Sequence, residues 1–200
     1  MRIAVFASGS GSNFQALAET IRSGGIPASI DLLVCDKPSA YVLERARTLG
    51  IDTYAFRPKD YPSREAYETE IVAELQRRGI GLIVLAGYMR LITSVLVEPF
   101  YGRMINIHPA LLPAFPGINS VKQALDYGVK VTGVTVHYVD GGMDTGPIIA
   151  QRAVEVLPGD TEQTLADRVH AVEHQLLPET VRWIAEGRVS LDGRIVTVRG

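Results

Sequence analysis

Three groups of residues in this sequence have the types and spacing to do chemistry. The first is Gly9-Ser10-Gly11-Ser12-Asn13, between an apolar run over residues 3–7 and an amphipathic stretch over 13–23. Glycines at a strand-to-helix junction let backbone N–H groups converge, and a helix N-terminus adds positive potential, so the loop reads as a phosphate cradle. The plainer alternative is an ordinary strand-to-helix turn. No Gly-Lys-Ser/Thr follows, so this is not a Walker loop. Phe14 stands where the third glycine of a dinucleotide fingerprint belongs, although Asp36 near the end of the second strand keeps a weak dinucleotide reading open. The second group is Asn106-Ile107-His108-Pro109. Residues two apart on a strand point the same way, so Asn106 and His108 share a face. An amide donor beside an imidazole can hold an oxyanion and exchange a proton. The third group is Asp140-Gly141-Gly142-Met143-Asp144-Thr145-Gly146-Pro147, either an acidic turn or a loop that aims Asp144 at His108. A carboxylate there would raise the pKa of the imidazole and orient it.

Positioning these groups requires a scaffold, and the sequence describes one. Short apolar runs alternate with longer amphipathic stretches, the pattern of a mostly parallel α/β sheet. Strands are expected over residues 3–7, 30–35, 53–56, 82–85, 104–108, 131–139 and 148–156. Helices are expected over 13–23, 41–49, 63–78, 92–100 and 161–186, the last with a possible bend at Pro178. Ser63 suits a helix cap, and Glu65, Glu68, Arg77 and Arg78 complement the dipole of the helix that it starts, with the two arginines read as a solvated end. Asp192-Gly193 suits the turn of a small C-terminal hairpin over 189–198. Pro109 ends its strand at the carboxyl end, where open α/β sheets bind ligands. No repeat, low-complexity segment or linker is visible, so one domain over 1–200 is expected, Rossmann-like, with a long C-terminal helix and a small hairpin.

Bulk composition narrows the function classes. The 200 residues are 46% hydrophobic, enough for a full core. Twenty Lys and Arg against 22 Asp and Glu leave a net charge of −2, without the basic excess of a nucleic-acid binder. The single cysteine, Cys35, excludes an internal disulfide, suits a reducing compartment and reads as a small buried residue. No run approaches the ~18 apolar residues of a membrane span, and the N-terminal apolar run is too short for a signal peptide. A cytoplasmic protein is expected, with no nucleic-acid or membrane partner. His170 and His174 have metal-ligand spacing on a helix, but no His-Glu-x-x-His motif accompanies them and no metal is expected. His137, alternating with apolar residues on a strand, reads equally well as structural or as part of a site.

Taken together, the chain resembles the folate-dependent formyltransferases. The resemblance runs nearly end to end. It includes Ser8-Gly9-Ser10-Gly11-Ser12-Asn13, Ser63-Arg64-Glu65, Ala86-Gly87-Tyr88-Met89-Arg90-Leu91-Ile92 and Asn106-Ile107-His108-Pro109-Ala110-Leu111-Leu112-Pro113. It continues through Phe115-Pro116-Gly117 and Gly133-Val134-Thr135-Val136-His137 to Asp144-Thr145-Gly146-Pro147. The pairing of Asn-x-His-Pro with a later Asp-x-Gly-Pro is highly specific to that superfamily. The resemblance implies formyl transfer from 10-formyltetrahydrofolate, as co-substrate, to the amine of glycinamide ribonucleotide in purine (IMP) biosynthesis, without a metal. It implies Asn106, His108 and Asp144 as the catalytic set. Gly11, Ser12 and Asn13, with His170, Ala171, Val172 and Glu173, are implied as ribonucleotide binders. Arg64, Met89, Arg90, Leu91, Ile92 and Asn106, with Asp140, Gly141, Gly142, Met143 and Asp144, are implied as folate binders. A monomer or homodimer is expected. Position 170 is often basic in relatives, which makes His170 a weaker, titratable cation, and the segment 114–122 varies among members.

Four other functions compete. A methionyl-tRNA formyltransferase is expected to need a further C-terminal domain and a basic surface, whereas this chain stops at Gly200. A formyltetrahydrofolate hydrolase takes water as acceptor and usually carries a domain before the first strand, which here starts at Arg2. A nicotinamide oxidoreductase is disfavoured by Phe14. A non-catalytic nucleotide binder has no need of an oxyanion donor beside a tuned imidazole.

Overall fold

A computed structural model of the chain describes residues 1–200, which divide into two compact units, residues 1–106 and 107–200. The first unit alternates strands and helices: β1 (Arg2–Ala7), α1 (Ser12–Arg22), β2 (Ser29–Cys35), α2 (Val42–Leu49), β3 (Thr53–Ala55), α3 (Arg64–Arg77), β4 (Leu82–Leu85), the short α4 (Ser94–Val97) and β5 (Met104–His108), whose last two residues begin the second unit. β1 pairs in parallel with β2 on one side and β4 on the other, while β3 extends β2 and β5 extends β4. Helices joining parallel strands cover the sheet faces, so the central strands are largely apolar. This explains the unbroken runs Ile3-Ala4-Val5-Phe6-Ala7 and Leu82-Ile83-Val84-Leu85, all buried. α1 buries Phe14, Leu17 and Ala18 on one face, and each of the two larger side chains contributes about 1.5–3 kcal/mol. Ser63 caps α3 by accepting a hydrogen bond from the Ala66 N–H.

The second unit contains α5 (Ser120–Tyr127), β6 (Val131–Tyr138), β7 (Ile148–Glu155), the long α6 (Glu162–Ala185), β8 (Val189–Asp192) and β9 (Ile195–Val198). β6 and β7 are antiparallel, with a register shift between Val136 and His137. α6 packs on both strands, and β9 lies against β7. Thr161 opens α6 with a capping box, and the helix continues unbroken past the buried Pro178. The strand order is β3-β2-β1-β4-β5-β6-β7, with β8 and β9 as a separate hairpin. The result is the mixed, mostly parallel α/β sheet read from the sequence, with its long C-terminal helix and small hairpin.

Three readings change. The helix expected over 92–100 is only α4 followed by a 3₁₀ turn, Glu98–Phe100, because Pro99 supplies no N–H to continue it. α5 was not expected: it is preceded by Asn119 at φ 58 with no side-chain cap, so the usual start signal is missing. Arg78 is not a solvated helix end. It is largely buried and donates to Glu74, to Asp52 and to the Asp31 carbonyl, tying α3 to β2 and to the approach to β3. No helix is long and apolar enough to cross a membrane.

Candidate active site

His108, the last residue of β5, is 4% exposed. Its Nε2 lies 2.8 Å from the Phe115 carbonyl oxygen and 3.2 Å from Ser120 Oγ. A carbonyl can only accept, so Nε2 carries a proton and Nδ1 is the nitrogen left for chemistry. Nδ1 faces Asp144 Oδ2 at 3.5 Å. The other oxygen of Asp144 lies 3.6 Å from His137 Nε2. His137 Nδ1 is 2.8 Å from the Tyr138 carbonyl, so it too donates to the backbone. The carboxylate therefore stands between the two imidazole nitrogens that are not committed to the backbone. Both separations are longer than a short N–H···O bond. Such an array can take up one proton and return it.

Burial pushes the His108 pKa below its ordinary value and outweighs the raising effects of the Phe115 carbonyl and the Asp144 carboxylate. The carboxylate acts in the expected direction, but it does not decide the sign. Burial alone would raise the Asp144 pKa; the His137 imidazole, the Gly117 N–H and the His108 ring overcome it and hold the carboxyl below the usual range. The Gly117 N–H donates to Asp144 Oδ2 at 2.7 Å.

The loop that carries Asp144 is built to hold its shape. Asp144 has φ 55, a left-handed conformation that Asp tolerates better than most residues. Asp140 Oδ1 accepts from the Gly142 N–H at 3.0 Å and from Thr145 Oγ1 at 2.6 Å, so this carboxylate organises the loop. A side chain at position 146 would collide with the Tyr138 carbonyl, which explains Gly146. Arg194, beside the hairpin turn, donates to the Thr145 carbonyl at 3.0 Å. Gly141, Gly142 and Met143 are exposed.

In the first unit, Gly11 has φ 74 at the N-terminus of α1, and a Cβ there would overlap Val42. The carbonyls of Gly9 and Ser10 accept from the Val42 N–H and from Arg45 Nε. The loop thus turns its carbonyls toward α2, and the N-terminus of α1, at Ser12 and Asn13, has no capping side chain. That suits an anion. Asp36 is 2% exposed and bound to Arg90, so it is not available to a ribose hydroxyl as the dinucleotide reading requires. Phe14 is fully buried.

The 89–92 segment after β4 is clamped at both ends. Ser8 Oγ accepts from the Met89 N–H at 2.9 Å, and the Glu68 carboxylate accepts from the N–H and hydroxyl of Thr93. Between the clamps, Met89 and Leu91 are exposed apolar side chains, as a surface for aromatic rings requires. Arg64 lies exposed in the first turn of α3. On α6, His170, Glu173 and His174 share one side of the helix by their spacing, and the two imidazoles stack with centroids 6.5 Å apart. Ala171 and Val172 fall on other sides of the helix, and of the four residues from 170 to 173 only Glu173 is buried. No group of three or more His, Cys, Asp or Glu is placed to hold a metal ion. Cys35 is buried, as expected, and its thiol pKa is raised by burial.

Sequence reasoning brought His108 and Asp144 together and the structure does the same. It left His137 open and missed Ser120, Phe115 and Gly117, which act through a hydroxyl or the backbone. It also missed Ser8 and Glu68, whose roles as clamps depend on contacts about 80 and 25 residues away along the chain.

Comparison with known proteins follows the same direction. Residues 1–181 match the model of the family described as formyl transferase. The chain is 52% identical over 181 residues to the phosphoribosylglycinamide formyltransferase of Bacillus subtilis, covering 90% of this chain and 93% of that protein. The crystal structure of glycinamide ribonucleotide transformylase 1 from Symbiobacterium toebii superposes with a TM-score of 0.97 at 48% identity, covering 99% of this chain and 93% of that one. The corresponding enzyme from Geobacillus kaustophilus gives 0.90 at 54% identity, covering 92% and 98%.

Proposed function

The chain belongs to the formyl transferase family, and on that premise we propose that it transfers the formyl group of 10-formyltetrahydrofolate to the amine of N1-(5-phospho-D-ribosyl)glycinamide. The products are formylglycinamide ribonucleotide and tetrahydrofolate, in de novo purine biosynthesis. The observation that carries the chemistry is the Asp144 carboxylate held between His108 Nδ1 and His137 Nε2, with the opposite nitrogen of each ring committed to a backbone carbonyl.

The neutral amine attacks the formyl carbon, a C–N bond forms, and the carbonyl π pair moves onto oxygen. His108, through Nδ1, and the Asn106 amide stabilise that oxyanion. The oxyanion collapses, the bond from carbon to the folate nitrogen breaks, and the proton lost by the amine reaches the leaving nitrogen by way of Asp144 and water. His108 is neutral in the free protein, so its Nδ1 takes up the proton lost by the amine as the oxyanion develops, donates it to that oxygen as a hydrogen bond, and gives it up, by way of Asp144 and water, to the leaving nitrogen. Gly11, Ser12 and Asn13 hold the phosphate and sugar, and Glu173 contacts the glycinamide end, with His170, Ala171 and Val172 beside it. Arg64, the 89–92 segment and the 140–144 loop hold the folate. The family match spans 1–181 and so runs through the boundary between the two compact units, which supports reading the chain as one formyltransferase domain. We take the working protein to be a cytoplasmic monomer or homodimer that requires only its two small-molecule substrates.

The test is folate turnover by the purified protein, followed by absorbance, with and without the ribonucleotide amine. Turnover only with the amine is the expected result. Turnover without it would replace the transferase with a hydrolase.

A further inference from the structure

The end of β2 holds a carboxylate with no role in the reaction outlined above. The Asp36 side chain is fully buried, with Oδ2 2.7 Å from Arg90 Nε. Its Oδ1 is buried with no hydrogen-bond partner. A buried carboxylate is costly unless paired, and an unsatisfied buried oxygen in a native fold calls for a reason. Arg90 is its single ion-pair partner. The arginine side chain remains 40% exposed, and only its Nε makes a hydrogen bond. Its two Nη groups are therefore uncommitted. The backbone around Arg90 is fixed as well, since Ser8 holds the Met89 N–H and Glu68 holds the Thr93 N–H.

We propose that Asp36 is a positioning residue: it grips the Nε edge of Arg90 and presents the Nη1 and Nη2 pair outward as a preset fork for a carboxylate at the glutamyl end of the folate. The proposal rests on the reading of Arg90 as a folate contact. A guanidinium binds a carboxylate best through two parallel N–H···O bonds, and an arginine whose other edge is fixed loses little rotamer freedom on forming them. Arg64 forms no ion pair and stands in the helical turn before Tyr67, whose phenol lies within the electrostatic influence of both arginines. Two cations with uncommitted donors near one tyrosine suit a ligand end that carries more than one negative charge.

Two physical accounts of Asp36 give opposite signs, which makes the proposal testable. If only net charge mattered, removing a buried negative charge beside Arg90 would tighten binding of an anionic tail. If orientation matters, removing it releases the fork and weakens binding. The experiment measures kcat and KM for 10-formyltetrahydrofolate and for its pteroate analogue, which lacks the glutamyl carboxylates, in wild type, Asp36→Ala and Asp36→Asn. The expected result is a KM for the glutamyl substrate raised about tenfold in Asp36→Ala and by less in Asp36→Asn, which keeps an acceptor for Nε. The change falls on KM rather than kcat, and the KM of the pteroate analogue stays where it was. A KM for the glutamyl substrate that falls or is unmoved in both variants overturns the positioning role. So does a KM that rises equally for both substrates, which marks general damage to the fold. A wild-type chain without amine-dependent transfer overturns the folate reading, and the proposal with it.

Discussion

In the proposed reaction the chemistry turns on His108, and the environment of this residue makes a prediction about pH. Burial holds its pKa below the ordinary imidazole value, against the pull of the Phe115 carbonyl and Asp144. The unfolded chain therefore takes up that proton more readily than the folded one, and the stability involved is fully present above about pH 6.5 and lost as pH falls below it. Asp144, also held below its ordinary value, acts in the same direction further into acid. The melting temperature should fall between pH 7 and pH 5, and fall less in His108→Gln. An equally steep fall in the variant would show that His108 is not the group responsible. At this scale the sequence was legible only in part. Strand alternation placed Asn106 and His108 on one face, because a period of two is fixed by backbone geometry. Among the partners of His108, Asp144 was legible, and Phe115 and Ser120 were not. Phe115 contributes its carbonyl from a φ 53 conformation, and Ser120 opens a helix that follows Asn119 at φ 58. A phenylalanine is rarely found at positive φ, so its type does not announce that geometry.

Among the elements, the parallel strands were the easiest to read, since a strand buried on both faces must be an unbroken apolar run. α3 was legible from its Ser63 cap and its charge gradient. α5 was hidden by its unconventional start, and α4 was overestimated because Pro99 cuts it short. The hairpin formed by β8 and β9 was recognised as an element, but its purpose came only with the structure: Arg194 bonds the carbonyl of Thr145, the residue after Asp144. Releasing that bond should loosen the loop without unfolding the sheet. Arg194→Ala is expected to raise the KM for the folate substrate several-fold, with a change in melting temperature of a degree or two, as for loss of one exposed hydrogen bond. An unchanged KM would mean that the loop keeps its shape through Asp140 and Gly146 alone.

For the molecule as a whole, fold and chemistry were legible for different reasons. The fold followed from the alternation of apolar runs and amphipathic stretches over the full 200 residues. The reaction was legible through the resemblance of the Asn106-to-Pro109 and Asp144-to-Pro147 motifs to the folate-dependent formyltransferases, and residues 1–181 match the formyl transferase family. The family match stops at residue 181, short of the hairpin over 189–198, whereas the similarity to the Symbiobacterium toebii structure covers 99% of the chain. Near-neutral charge fits the proposal of two small anionic ligands bound by local groups rather than by a global field. The central claim is that Asn106 and His108 stabilise the oxyanion formed when the amine attacks the formyl carbon. The most direct test is the steady-state kinetics of Asn106→Ala and His108→Ala with both substrates, on protein shown to be folded by circular dichroism. Each variant should lose about 10²–10³ in kcat, the scale of a missing oxyanion donor, with KM values close to wild type. Near-normal turnover in either variant would contradict the account.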